Sequence, residues 1–164
     1  MSTHNAILLD IKNLENTRGA KVIIVATEWN SEIVEEQIEG ARRVAKELEI
    51  EIVNVVFVPG AVEIPFAIKQ ITKYIHQNNK VVDAIIAFGA VIKGDTPHFE
   101  YVCNMVSDSV NALNLSSDIP VVFGVLTVNN TEQVWERLGG RHGHKGEEAM
   151  ITAAKMITFK NNWK

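Results

Sequence analysis

Four short runs of apolar, largely β-branched residues, separated by segments of helical period, limit the folds open to this chain more than any other feature. Lys21–Thr27 (KVIIVAT) is the clearest of them. Its apolar residues are continuous rather than alternating, as in a strand buried on both faces. Ile52–Val58, a strand within Val81–Val91, and Pro120–Thr127 repeat the pattern. Between them, apolar residues recur at steps of three and four, the mark of helices with one buried stripe. Val34, Ile38, Ala41, Ala45 and Leu48 form the first stripe, and Ile64, Ile68, Ile71 and Ile75 the second, with Pro65 in its first turn. Val102, Val106, Ser109 and Leu113 form the third. A short helix then runs to Leu138. After the break at Gly139-Gly140, a last helix over Gly146–Phe159 turns Met150, Ala153 and Ile157 inward.

This alternation predicts an α/β protein: a four-stranded parallel sheet covered on both faces, in a three-layer α/β/α sandwich of flavodoxin-like type. The 164 residues fit one domain over 1–164, with residues 1–20 as an N-terminal arm. Glu35, Glu39, Arg42, Arg43 and Lys46 fall off the first helical stripe and read as a solvated face. A formal net charge of −4 argues against a nucleic-acid binder, which would carry a basic face. The single cysteine, Cys103, excludes an internal disulfide and a cysteine-based zinc site, and its apolar setting reads as a small buried hydrophobe. Met1–Asp10 has no basic segment followed by a long apolar run, and no stretch approaches the roughly 20 apolar residues of a membrane span. The expectation is a soluble, cytoplasmic protein without membrane contact.

In a doubly wound sheet, ligands bind beyond the carboxyl ends of the strands. The first strand leads into Thr27-Glu28-Trp29-Asn30, and the second into Pro59-Gly60-Ala61-Val62-Glu63. The third leads into Lys93-Gly94-Asp95-Thr96-Pro97-His98, and the fourth, through Asn129 and Asn130, into a helix bearing Arg137. The residues alone leave Trp29 open between a lid on the core and a flat surface for stacking a heterocycle. Thr96 suits the N-cap of the third helix and Pro97 its first position. Such a helix start offers N–H groups to an anion, with His98 placed to move protons. An ordinary capped helix with a surface histidine fits those residues too and is the commoner arrangement. Arg137 has the fork geometry of a phosphate clamp, and Glu148 would suit an orienting partner for His98. The connector Gly139–Gly146 lacks phosphate-loop spacing. His142 and His144 have only Glu147 and Glu148 near in sequence, so the connector reads as flexible and partly basic, without a metal.

Taken in order, VPGAVEIPFA (Val58–Ala67), AVIKGDTPHFEYVC (Ala90–Cys103), PVVFGVLT (Pro120–Thr127), EQVWERLGG (Glu132–Gly140) and HKGEEA (His144–Ala149) resemble the lumazine synthase family. The resemblance runs from about Lys21 to near Phe159. It implies condensation of 5-amino-6-(ribitylamino)pyrimidine-2,4-dione with 3,4-dihydroxy-2-butanone 4-phosphate to 6,7-dimethyl-8-ribityllumazine, in riboflavin biosynthesis, with no cofactor or metal. By the same resemblance Trp29 stacks on the pyrimidine with Asn30 nearby, and Ala61, Val62 and Glu63 hold the ribityl chain. The Val91–Ile92 backbone reads the ring's polar edge. Asp95, Thr96 and Arg137 bind phosphate, His98 transfers protons and Glu148 is its partner. The site would lie between subunits of a pentamer, with Phe123, Arg137, Lys145 and Glu148 from the adjacent chain and the segment around Ile7–Leu9 added to a neighbour's sheet. Pentamers stay free or build larger shells, and association with riboflavin synthase is a further expectation. Lys93, Asp95, Arg141, His142 and His144 depart from the family's pattern. A flavin-binding or shell-forming paralogue without turnover is the alternative, and the complete set His98, Thr96 and Arg137 argues against it.

Overall fold

The computed structural model describes Ile11 and residues 14–163. The segment around Ile7–Leu9 therefore lies outside the described residues. In chain order the elements are β1 (Lys21–Thr27), α1 (Ser31–Glu47), β2 (Glu51–Val58), α2 (Ile64–Gln77), β3 (Ala84–Ile92) and α3 (His98–Ser116). There follow β4 (Val121–Val128), the short α4 (Thr131–Trp135), β5 (Leu138–Gly140), β6 (Gly143–His144) and α5 (Lys145–Asn161). The four main strands form one parallel sheet in the order β2-β1-β3-β4. The three-layer sandwich read from the sequence is the observed architecture.

Successive strand residues point to opposite faces, so a strand buried on both sides feeds two cores. On one face Val22, Ile24, Ile86 and Phe88 pack against Val34, Ile38 and Ala41 of α1 and Met150, Ala153 and Ile157 of α5. On the other, Ile23, Val25, Ile85 and Ala87 pack against Ile64 and Ile68 of α2 and Val102, Val106 and Val110 of α3. Each fully buried Ile or Phe contributes about 1.5–3 kcal/mol of transfer free energy. The outer strands differ from the inner pair. β2 is largely exposed, and β4 leaves Phe123 41% exposed, because each is an edge with helices over only part of its surface. In α3 the buried stripe is Val102, Val106 and Val110, while Ser109 and Leu113 are half-buried. Cys103 is half-buried too, not enclosed as its apolar setting suggested.

Other boundaries shift for local reasons. α3 starts at His98, so Pro97 rather than Thr96 holds the N-cap position, and no side chain caps the helix. Pro97 has φ −61° but ψ −4°, short of a regular helical ψ, so the helix begins at the next residue. α4 ends at Trp135, leaving Arg137 just beyond it, and the connector is a short antiparallel hairpin, β5–β6, rather than a loose loop. Among the described residues, no helix is long and apolar enough to cross a membrane.

The tightest helix contact joins α1 to the start of α5. A Cβ added at Gly146 would overlap the carbonyl oxygen of Gln37, and one at Gly40 would overlap the His144 imidazole. Gln37 is fully buried there and donates from Nε2 to the Gly124 carbonyl at 2.7 Å, tying α1 to β4. Because the group facing Gly146 is main chain, it cannot swing aside. Gly146→Ala should therefore cost about 1–3 kcal/mol by overpacking and lower Tm by about 2–12 °C. Thermal unfolding followed by circular dichroism checks this, and an unchanged Tm would contradict the close-approach account.

Candidate functional site

The strand order places a topological switch point between β1 and β3. The chain leaves β1 toward β2 on one side and returns to β3 on the other, which opens a crevice at their carboxyl ends. Pairing of β1 with β3 stops at Ala26–Phe88, whereas β3 continues beside β4 to Ile92. The β1-facing edge of Gly89–Ile92 is thus left without a strand. Asn30 reaches into this gap and donates from Nδ2 to the Ala90 carbonyl at 2.9 Å. Asn30 adopts the left-handed conformation, φ 59°, that turns the chain from β1 into α1. Trp29, just before it, is 74% exposed, so it is no lid on the core.

On the β2 side the Trp29 N–H donates to the Pro59 carbonyl at 3.2 Å, drawing the two loops together. Ala61–Glu63 makes a single 3-10 turn after Gly60, leaving Ala61 and Val62 half-buried and Glu63 exposed. That turn packs against β3 and α3. Beyond β3, Lys93–His98 is exposed, with Lys93 Nζ 3.6 Å from Glu100 Oε1 and 5.9 Å from the Phe99 ring centroid. The fold thus gathers Trp29, Asn30, Ala61, Val62, Glu63, Val91, Ile92, Asp95, Thr96 and His98 around the ends of three adjacent strands. In the first turn of α3 the Glu100 N–H bonds back to the Pro97 carbonyl at 3.1 Å. The N–H groups before it belong to the first turn, which has no acceptor within the helix.

The remaining sequence-derived residues form a second patch. Phe123, Lys145 and Glu148 line a groove of about 800 Å³ along the free edge of β4, between α3 and α5. Lys145 Nζ donates to both Glu148 oxygens, at 2.8 and 2.6 Å. Glu148 is therefore the partner of Lys145 within the chain, not of His98. Arg137 is tied to this patch through its backbone, whose carbonyl accepts from the Lys145 N–H at 2.8 Å, although it does not line the groove. Its guanidinium donates to the Gln133 carbonyl at 2.9 Å. Glu136 lies 3.9 Å from it while pairing with Arg141 at 2.7 Å. One chain therefore presents these residues in two separate clusters: a crevice with a ring and a helix start, and an edge groove with cations, a carboxylate and an aromatic.

Sequence reasoning missed what anchors the second cluster. His144 is buried and caps α5, its Nδ1 accepting from the Glu147 N–H at 3.4 Å. That bond assigns the proton to Nε2, which donates to Glu36 Oε1 at 3.0 Å. Arg43 bridges Glu36 and Glu147, at 3.3 and 2.9 Å. The charges of α1 thus include a brace to α5 rather than a purely solvated face, and His144 has a carboxylate partner 108 positions away. A signal for Gln37 did exist: it lies on the apolar stripe three residues after Val34 and four before Ala41. The Cys103 thiol is pushed up by burial and then by the Glu100 charge, which keeps it protonated. Among the described residues, no group of three or more His, Cys, Asp or Glu is arranged to hold a metal ion.

The family model described as 6,7-dimethyl-8-ribityllumazine synthase matches residues 19–161. A 6,7-dimethyl-8-ribityllumazine synthase of Parabacteroides distasonis is 40% identical over 152 residues, covering 92% of both chains. The same enzyme of Bacteroides fragilis is 44% identical over 138 residues, or 83% of this chain and 93% of the relative. That of Kosmotoga olearia is 42% identical over 144 residues, covering 87% and 89%.

The brace beneath α5 has a measurable pH signature. The hydrogen bond from His144 holds the Glu36 carboxyl below its ordinary range, partial burial opposes this, and Arg43 reinforces it. A carboxylate with a depressed folded pKa stabilises the protein above its unfolded value, about pH 4.3 for glutamate, and loses that contribution as acid titrates the folded group. The Tm advantage of the unsubstituted chain over Glu36→Gln should be present at pH 7 and shrink toward zero as the pH falls below about 4.3. A difference that does not change with pH would remove the charge of Glu36 from the brace.

Proposed function

We infer that this chain, which belongs to the 6,7-dimethyl-8-ribityllumazine synthase family, joins 5-amino-6-(ribitylamino)pyrimidine-2,4-dione to 3,4-dihydroxy-2-butanone 4-phosphate. The products are 6,7-dimethyl-8-ribityllumazine, phosphate and water. The observation that carries the reading is the crevice at the switch point, where an exposed ring, an unpaired strand edge and a helix start converge.

The chemistry assigns each group a task. Trp29 gives the flat pyrimidine a stacking surface, with Asn30 beside it holding the loop. The Val91–Ile92 edge matches the ring's alternating donors and acceptors. The turn Ala61–Glu63 is placed for the ribityl hydroxyls. The start of α3, with Thr96 and the Asp95 N–H, suits the phosphate, since N-terminal N–H groups favour anions. Arg137 supplies the bidentate cation that Lys93 in the same region cannot. The amine nitrogen attacks the ketone carbon, and loss of water leaves an imine. Loss of the C3 proton and of phosphate from C4 leaves an enol, which tautomerises to a C3 ketone with a new methyl group, and attack of the ribityl-bearing nitrogen on that ketone closes the ring with loss of a second water. His98 stands in the first turn of α3 to carry protons between these steps. Most of the acceleration comes from holding two substrates together, which can be worth roughly 7–11 kcal/mol.

Neither half-site is complete alone. The crevice lacks a cation of the second patch, and Glu148 can orient His98 only from another copy. We therefore place the site between subunits of a homo-oligomer, a pentamer or an assembly of pentamers, where Phe123, Arg137, Lys145 and Glu148 of one copy meet the crevice of the next. Exposed Phe66, Tyr101 and Met105 on α2 and α3 support such burial, because monomers rarely expose so many large apolar side chains on neighbouring elements. Association with riboflavin synthase is proposed on the family resemblance.

The test is turnover with both substrates, followed by the fluorescence of the lumazine product. His98→Ala should slow turnover about 10²–10⁴-fold, the usual worth of a proton-transfer residue, with pyrimidinedione binding nearly intact. Arg137→Ala should raise KM for the phosphate substrate about tenfold or more and leave KM for the pyrimidinedione little changed. A folded protein that binds the pyrimidinedione without turnover would overturn the reading in favour of a flavin-binding paralogue.

A further inference from the structure

We propose that Thr27 is a positioning residue for pyrimidinedione binding, acting through Trp29 without touching substrate; the inference rests on the stacking role given to Trp29. Thr27 is the last residue of β1 and is 2% exposed, so its side chain cannot reach a ligand. Its Oγ1 donates to the Trp29 carbonyl at 3.0 Å. A valine would serve the buried strand end equally well for packing, since β-branched residues share the same strand preference. What threonine adds is the hydroxyl, and the hydroxyl holds the peptide that follows the exposed ring.

The rest of the loop is fixed in a complementary way. The Glu28 N–H donates to the Val58 carbonyl at 2.8 Å and the Trp29 N–H to the Pro59 carbonyl at 3.2 Å, extending the β1–β2 ladder past the end of the strand. Asn30 ties the next residue to Ala90, and its carbonyl accepts from Ile33 and Val34 at 3.0 and 3.1 Å. The backbone is therefore held on both sides of Trp29, while the side chain itself is largely exposed. Its direction is set by its Cα–Cβ bond, and the carbonyl gripped by Thr27 is the link that fixes that bond on the crevice side. A rigid aromatic surface binds with less loss of freedom than a mobile one.

The test compares Thr27→Val, which keeps the shape and removes the donor, with Thr27→Ser, which keeps the donor and removes a methyl. Thr27→Val should raise KM for the pyrimidinedione about three- to tenfold, the range of one hydrogen bond, with kcat and KM for the phosphate substrate within about twofold. Thr27→Ser should restore the unsubstituted KM. In a Trp135→Phe/Trp163→Phe background, where Trp29 is the only tryptophan of the three, Thr27→Val should also speed the decay of its fluorescence anisotropy. Should Thr27→Val not fold, Thr27→Ala carries the same comparison. An unchanged KM in the donor-free variant, or a serine variant as impaired as valine, would overturn the proposal. Trp29→Ala separates the two levels. If it raises KM for the pyrimidinedione and Thr27→Val does not, only the positioning role falls. If Trp29→Ala leaves that KM unchanged, the stacking role falls, and the positioning role with it.

Discussion

The start of α5 rests directly on the main chain of α1, and most of what is particular to this molecule depends on that contact. Gly146 leaves no side chain between itself and the Gln37 carbonyl, and Gly40 makes room for the His144 ring. At that distance the helices are joined by polar groups that would otherwise be too far apart: His144 to Glu36, and Arg43 to Glu147. Gln37 carries the link inward to the Gly124 carbonyl of β4. The N-terminus of α5 is thereby fixed relative to the edge strand beneath it. Lys145 and Glu148, in its first turn, have only one place to be, at the mouth of the groove beside Phe123. His144 and Gln37 are buried while Glu36, Arg43 and Glu147 stay partly open to solvent, so the cluster adds little net energy and acts mainly to favour one register of helix on helix.

How much of this the sequence disclosed follows from the range of the interactions. The β-branched runs around Val22–Ala26 and Ala84–Ala90 report local burial, so the sheet and its two helix layers could be read directly. The loops after β1, β2 and β3 were legible as one site because parallel strands must end on the same side. What could not be read depends on partners distant in the chain. Nothing local to Arg43 separates a solvated arginine from one bridging two helices. Nothing local to His144 announces Glu36. Edge exposure at Phe57 and Phe123 depends on strand order, which four apolar runs do not specify. The start of α3 moved by one residue because the ring of Pro97 fixes φ but not ψ, and its ψ lies near zero rather than at the helical value.

The division of the functional residues into a crevice and an edge groove gives the proposed chemistry its economy. Ring, strand edge and helix start stand at the switch point, where doubly wound sheets leave room for a ligand. Cations and a carboxylate stand at the end of a braced helix on a different surface. Each half is ordered by the subunit that carries it. Under the proposed function, docking copies of the chain would complete the site without remodelling either half, so little freedom would be lost on assembly. The exposed apolar residues of α2 and α3 and the open edge of β4 are what such docking would cover.

The most direct test of this account is complementation between two inactive variants co-expressed in the same cells, one carrying His98→Ala and the other Arg137→Ala. If each site draws His98 from one chain and Arg137 from the next, random mixing restores about one quarter of the sites in a closed ring. Turnover should then rise far above that of either variant alone. Mixed assemblies no more active than the separate variants would place both residues in a site within one chain, and the two-subunit account would be wrong.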